Sequence, residues 1–211
     1  MRKRKSDKEV IERFNQLYYF MGTQSWASLF WLGHPILKCP ADLFTYQEII
    51  YEIKPSLIIE TGTAFGGSAL FLAMVCDGAD RGEVLSIDIE EYPCRAAHPR
   101  ITYLQGSSVD PRIVEQVIKI AHGKAVMVIL DSDHEYRHVK EELRIYSTFV
   151  SFGQYLIVED TNLSMLTPGF GGGPGKAARE FMQTTDEFIV DTSREKHLLT
   201  FNPNGFLRRV K

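Results

Sequence analysis

From about residue 43 to the C-terminus, short runs of Val, Ile and Leu alternate with amphipathic segments, and this alternation leaves the chain few folds to choose from. The runs are Leu57 to Ile59, Val84 to Ile87, Ile101 to Leu104, Val126 to Leu130 and Tyr155 to Val158. They are mostly short and rich in Val, Ile and Leu, as strands buried on both faces are. Alternation of such strands with helices marks βαβ units around a parallel sheet. The expected fold is therefore α/β, a doubly wound, mostly parallel, Rossmann-like sheet with right-handed crossovers.

Ser68 to Cys76 reads as a buried helix. Asp110-Pro111 opens another that runs to about Ala121, with a capping carboxylate and a proline in the first turn. His134 to Val150 is the third, with Val139, Leu143 and Tyr146 on one face. The segment Asn162 to Gly175 is rich in glycine and reads as a surface loop or a lid, and Pro174 then begins a helix to Phe181. Glu187 to Val190, Leu198 to Phe201 and Phe206 to Val210 are expected to be terminal strands, the last two joined by a turn at Asn202-Pro203-Asn204-Gly205.

Residues 1–40 differ from the rest: Phe14, Leu17, Tyr18, Phe20, Trp26, Leu29, Phe30 and Trp31 precede the first strand. They suggest a helical extension that packs on the sheet, covers a site or meets another subunit, ahead of one domain over 41–211. Arg2, Lys3, Arg4, Lys5 and Lys8 read as a solvated terminal run. No apolar stretch follows them as in a signal peptide, and none elsewhere is long enough for a membrane span, so a cytoplasmic protein is expected. A net charge of -3 argues against a nucleic-acid partner and for a small-molecule substrate. Cys39, Cys76 and Cys94 form neither a CxxC pair nor a zinc pattern.

The first strand runs into Glu60-Thr61-Gly62-Thr63-Ala64-Phe65-Gly66-Gly67-Ser68. Such a loop brings its backbone, here Gly62, Thr63 and Gly66, close to a ligand before a helix begins. It does not reproduce G-x-G-x-x-G, and Glu60 would repel a pyrophosphate. A cationic cofactor suits it better: S-adenosylmethionine carries an ammonium and a sulfonium and no phosphate. Asp88, ending the second strand, is placed to accept from ribose hydroxyls. Gly106-Ser107-Ser108 is either a wall near the adenine or a helix-entry loop.

Asp131 ends the fourth strand and Glu159-Asp160 end the fifth. On neighbouring strands these acids converge at the carboxyl edge, either as helix caps or around a hard cation such as Mg²⁺. A cation there would lower the pKa of an acceptor hydroxyl. His134, three residues after Asp131, is the candidate base. His134 and His138 also stand four residues apart, a spacing at which two histidines on one helix face can share a metal.

Leu32-Gly33-His34-Pro35, Lys38-Cys39-Pro40, Asp42-Leu43, Tyr46-Gln47-Glu48-Ile49-Ile50, the loop and helix Glu60 to Leu72, Ile129 to His134, Val158 to Thr161 and Arg194 to Arg209 resemble the cephalosporin hydroxylase family. Despite that name, its members look like class I S-adenosylmethionine-dependent O-methyltransferases, including some that act on rhamnosyl groups. The resemblance implies a Mg²⁺ site at Asp131, Glu159 and Asp160, cofactor contacts at Glu60, Gly62, Ser68, Asp88 and Asp131, and a homo-oligomer. Thr63, Gly66 and Ser107 complete the expected cofactor set, with His134 and Asp131 as catalytic residues and a sugar or natural-product hydroxyl as acceptor. The competing reading takes Asp131-Ser132-Asp133 as the D-x-D of a metal-dependent glycosyltransferase. An iron oxygenase would need H-x-D or H-x-E, which the chain lacks.

Overall fold

The computed structural model of the chain describes residues 6–21, 25–163 and 172–211. Arg2 to Lys5 of the N-terminal basic run and most of the glycine-rich loop lie outside them. Helix α1 (Asp7–Asn15) opens with a capping box between Ser6 and Glu9 and passes into a π-helical turn, Gln16–Met21. A 3₁₀ turn (Ser25–Ser28) and a small hairpin, β1 (Phe30–Trp31) with β2 (His34–Pro35), lead to α2 (Pro40–Ile53). Lys54 ends α2 in the left-handed region, and Pro55 prevents the helix from continuing.

The main sheet is built from β3 (Leu57–Thr61), β4 (Glu83–Asp88), β5 (Ile101–Gln105), β6 (Val126–Leu130), β7 (Tyr155–Val158), β8 (Phe188–Val190) and β9 (Phe206–Arg209), in the order β5-β4-β3-β6-β7-β9-β8. Five strands from β5 to β7 are parallel, and β9 runs antiparallel between β7 and β8. The expected doubly wound α/β sheet is thus present. Alternate side chains serve opposite layers. Leu57, Ile59, Val126, Val128 and Leu130 pack toward α4 (Pro111–Ala121), α5 (Tyr136–Tyr146) and α6 (Gly173–Thr184), whereas Ile58, Met127 and Ile129 pack toward α2 and α3 (Gly67–Gly78). Because both faces are covered, both sets are apolar.

Two expected elements are corrected. Leu198 to Phe201 is not a strand: Leu198 is left-handed (φ 63), and the backbone N–H of Phe201 donates to the Asp42 carboxylate at 2.9 Å instead of to a ladder. The third helix begins at Tyr136 and not at His134, because Asp133 Oδ1 accepts the Glu135 N–H at 2.8 Å and holds the preceding residues in a turn. His134 therefore stays in the loop above β6.

The register aligns the site. Thr61 pairs with both Ile87 and Leu130, and Leu130 pairs with Val158. Gly62, Asp88, Asp131 and Glu159 consequently leave the sheet at one level. They flank the gap between β3 and β6, where the strand order reverses and α/β folds bind ligands.

Candidate active site

Gly62 has φ +87, and a Cβ there would lie 1.9 Å from the Asp131 carbonyl oxygen, so only glycine lets the first loop cross β6 this closely. Asp88 shapes the next turn: its Oδ2 accepts the N–H groups of Thr63 at 2.9 Å and Ala64 at 2.7 Å, and its Oδ1 accepts that of Glu90 at 2.9 Å. Beneath this loop Ser86 Oγ donates to Glu60 Oε2 at 2.7 Å, while Glu60 Oε1 has no hydrogen-bond partner among the described residues. Burial raises the Glu60 pKa, against the pull of Lys38 and the nearby Ser68 and Ser86 hydroxyls.

Two cavities meet here. The larger, about 390 Å³, is lined by Thr63, Ser68, Asp131, His134 and Asp160 on the sheet side and by Tyr19, Trp26 and Leu37 on the other. The smaller, about 240 Å³, is lined by Ser107, Ser108, Asp133 and His138. Gly62, Asp88, Ile89 and Ser132 belong to both walls. Glu60, Gly66 and Glu159 lie behind these walls and do not line either cavity. A roomier cavity of about 710 Å³ between α5 and α6 is remote from these acids.

The acids divide between two cations. Lys38, 3% exposed, places its ammonium 2.5 Å from both Asp131 Oδ2 and Glu159 Oε1. Burial would strip the Lys38 proton, but the Asp131, Glu159 and Glu60 carboxylates outweigh it and raise the pKa. On the other side His134 Nε2 lies 2.6 Å from Asp160 Oδ2 and 3.8 Å from Asp131 Oδ1. Burial lowers the His134 pKa, yet the hydrogen bond to Asp160 and the surrounding carboxylates push it up to about 9. Tyr19 donates its hydroxyl to the same Asp160 oxygen at 3.0 Å.

Asp131, His134 and Asp160 each offer one ligand atom, and these atoms lie within 4.8 Å of one another. Two carboxylates and an imidazole fit a divalent cation such as Mg²⁺ or Mn²⁺. Asp133 is not among them: it lines the smaller cavity and caps the turn to α5, so Asp131-Ser132-Asp133 does not converge as one metal-holding D-x-D. Nor do the two histidines act together, because His138 Nε2 lies 3.2 Å from Ser108 Oγ and 3.6 Å from Glu142 Oε1.

Residues 23–210 match the family model described as Rhamnosyl O-methyltransferase/CmcI. The chain belongs to this family. A rhamnosyl O-methyltransferase of Mycobacterium leprae (strain TN) is 37% identical over 209 residues, which is 95% of this chain and 90% of that protein. One from Mycobacterium bovis (strain BCG / Pasteur 1173P2) is 36% identical over 210 residues, 95% of this chain and 85% of its own. A structure of CmcI with Mg and SAM superposes with a TM-score of 0.66 at 20% identity, over 100% of this chain and 87% of that one. MycE methyltransferase with Mg, SAH and mycinamycin VI gives 0.54 at 17% identity, over 85% of this chain and 53% of MycE. At such identities these two likenesses show the shared fold.

Sequence reasoning about this family member overlooked Lys38, Tyr19 and Asn202. Asn202, fully buried, accepts the Asp160 N–H through Oδ1 at 3.0 Å and donates to Tyr46 Oη at 2.8 Å. That contact holds Asp160 in the left-handed conformation (φ 54) that aims its side chain at His134. Asn202 sits 42 residues from Asp160, so no local pattern announces the pairing. Lys38 offered one usable signal: a lone cation within an otherwise apolar and cysteine-proline stretch.

Proposed function

We propose that this S-adenosylmethionine-dependent O-methyltransferase methylates a hydroxyl of a sugar or glycosylated small molecule, with a divalent cation, Mg²⁺ by preference, at the acceptor. The coarser statement, O-methyl transfer from S-adenosylmethionine, rests on membership of the family. The observation that carries the finer one is the junction of a two-lobed cavity with the converging carboxylates of Asp131 and Asp160, beside which His134 stands as the base.

The residues present suit the cofactor. An elongated ligand with a base at one end and an amino acid at the other fits two cavities that share Gly62 and Asp88. Ser107 and Ser108 would border the base, Asp88 the ribose through lone pairs its amide contacts leave free, and Thr63 and Ser68 the amino-acid end. Glu60, behind the wall with one unpartnered oxygen, favours a cationic ligand in front of it. Asp131, with Asp160, would hold the cation, and Glu159 supports them from the second row through Lys38.

When bound, the cofactor supplies an electrophilic methyl group on a sulfonium, and the cation supplies charge that lowers the pKa of an acceptor hydroxyl. The chain supplies position and proton handling. Asp131 and Asp160 would orient the acceptor oxygen, and Tyr19 and Trp26 line the cavity on the side opposite the sheet. In its neutral form His134 would take the acceptor's hydroxyl proton at Nε2, and the Asp160 carboxylate 2.6 Å away would stabilise the imidazolium so formed. In this reading the described part of residues 1–40, α1 with its following turns and the β1–β2 hairpin, serves the acceptor side, 41–211 are the methyltransferase domain, and the protein forms a homo-oligomer. Relatives named rhamnosyl O-methyltransferase support a sugar acceptor.

The test is calorimetric titration with S-adenosylmethionine, S-adenosylhomocysteine and nucleotide sugars, followed by labelled methyl transfer to rhamnosyl and other glycosides with Mg²⁺ or chelator. Binding of the S-adenosyl ligands and chelator-sensitive transfer are expected. Binding of nucleotide sugars alone would overturn the assignment and restore the glycosyltransferase reading, which neither the family nor the placement of Asp133 favours.

A further inference from the structure

Lys38 takes no part in the methyl transfer above beyond linking Glu159 to the site, yet it is the most deeply buried Lys or Arg among the described residues, 3% exposed, and it contacts two of the acids at the carboxyl edge. Its ammonium occupies Asp131 Oδ2 and Glu159 Oε1, leaving Asp131 Oδ1 on the side of His134 and Asp160. Lys38 reaches this place on the short segment between β2 and α2, whose next residues, Cys39 and Pro40, cap and begin the helix. An acid cluster this buried must be neutralised to fold at all. Here the chain does so with a cation of its own.

A tethered ammonium and a divalent ion draw on the same carboxylate, Asp131. We infer that Lys38 is a built-in counter-ion that competes with the divalent cation for Asp131 while Glu159 anchors it, and so sets how tightly this site binds metal. The inference rests on the proposed metal site at Asp131 and Asp160. It assigns Lys38 as a positioning residue: it holds the acids in place when no metal is bound and lowers the site's charge when one is. Removing the ammonium leaves a more negative site, which attracts a dication more strongly.

The experiment is titration of the full-length protein with Mn²⁺, followed by electron paramagnetic resonance of free Mn²⁺, for wild type, Lys38→Met, Lys38→Gln, Lys38→Arg and the double variant Lys38→Met/Glu159→Gln. S-Adenosylmethionine binding is measured on each to confirm a folded cofactor half. Lys38→Met and Lys38→Gln are expected to bind Mn²⁺ at least about tenfold more tightly than wild type. Lys38→Arg, which keeps the charge, stays near wild type, and the double variant loses most of the gain. Weaker or unchanged Mn²⁺ binding in both neutral variants overturns the Lys38 assignment and leaves the metal site standing. If no variant binds Mn²⁺ although all bind S-adenosylmethionine, the metal part of the proposed function falls and the Lys38 assignment falls with it. Lys38→Gln keeps a hydrogen-bonding group for both carboxylates, so the comparison stands even if Lys38→Met does not fold.

Discussion

The two halves of the site are built in different ways. The proposed cofactor half, Glu60 to Ser68 with Asp88, comes from one continuous loop and the end of the adjacent strand, and its hydrogen bonds join residues 23 to 26 positions apart. The carboxylate half draws Tyr19, Lys38, Asp131, His134, Glu159, Asp160 and Asn202 from across the chain, with contacts spanning 141, 121 and 93 positions. A loop that follows a strand is fixed by its own residues and one neighbour. A buried cluster of acids stands only if remote elements bring the cations and amides that neutralise it.

Gly62 joins the halves, and changing it tests whether they are separable. Gly62→Ala places a Cβ against the Asp131 carbonyl and an L-residue at φ +87. We expect a loss of about 3 kcal/mol or more of stability together with loss of cofactor binding. Thermal melts and calorimetry check both, and a variant as stable as wild type would show that the close approach of loop and β6 is not needed.

Asp160→Asn breaks the carboxylate half alone. Methyl transfer should fall by roughly a hundredfold, about 2.7 kcal/mol in transition-state stabilisation, while affinity for S-adenosylmethionine changes little. Steady-state kinetics beside a binding titration measure the two effects. Equal loss of cofactor affinity would mean the halves are one unit, and unchanged turnover would remove Asp160 from the chemistry.

The smallest effect concerns the scaffold under the carboxylate half. Burial raises the Asp42 pKa from 3.8 to about 7, against hydrogen bonds from Thr200 and the Phe201 N–H that favour the charged form. The folded chain thus binds this proton more tightly than the unfolded one. The stabilisation from the protonated group is complete below about pH 3.8 and is lost as pH rises through about 7. Between about pH 5.5 and 7.5 the wild type should lose roughly 2 kcal/mol from this group. Asp42→Asn keeps an oxygen for Phe201 and should flatten that decline. Denaturant melts at several pH values decide it, and parallel wild-type and variant curves would exclude Asp42 as the source.

The legible part of the molecule is the part whose causes are local. Leu57 to Ile59 and Val126 to Leu130 announce doubly covered strands, Asp110-Pro111 announces a helix start, and Glu60 to Ser68 announces a tight turn into a helix. Leu198 to Phe201 misleads because its apolar residues suit a strand as well as an aromatic packing site. Phe201 lies edge-on to Tyr19 with ring centroids 4.8 Å apart, a contact that involves residues from both ends of the chain.

By itself the sequence determined the sheet, its two apolar layers and the row of acids at its carboxyl edge, since side-chain alternation and strand-end chemistry are written residue by residue. Only the tertiary structure decided how those acids are shared: Glu159 and one oxygen of Asp131 go to Lys38, and Asp160 goes to His134, Tyr19 and, through its backbone, Asn202. The reason is electrostatic. A buried carboxylate takes whichever donor the fold delivers to it, and that delivery depends on packing between segments whose separation along the chain carries no signal.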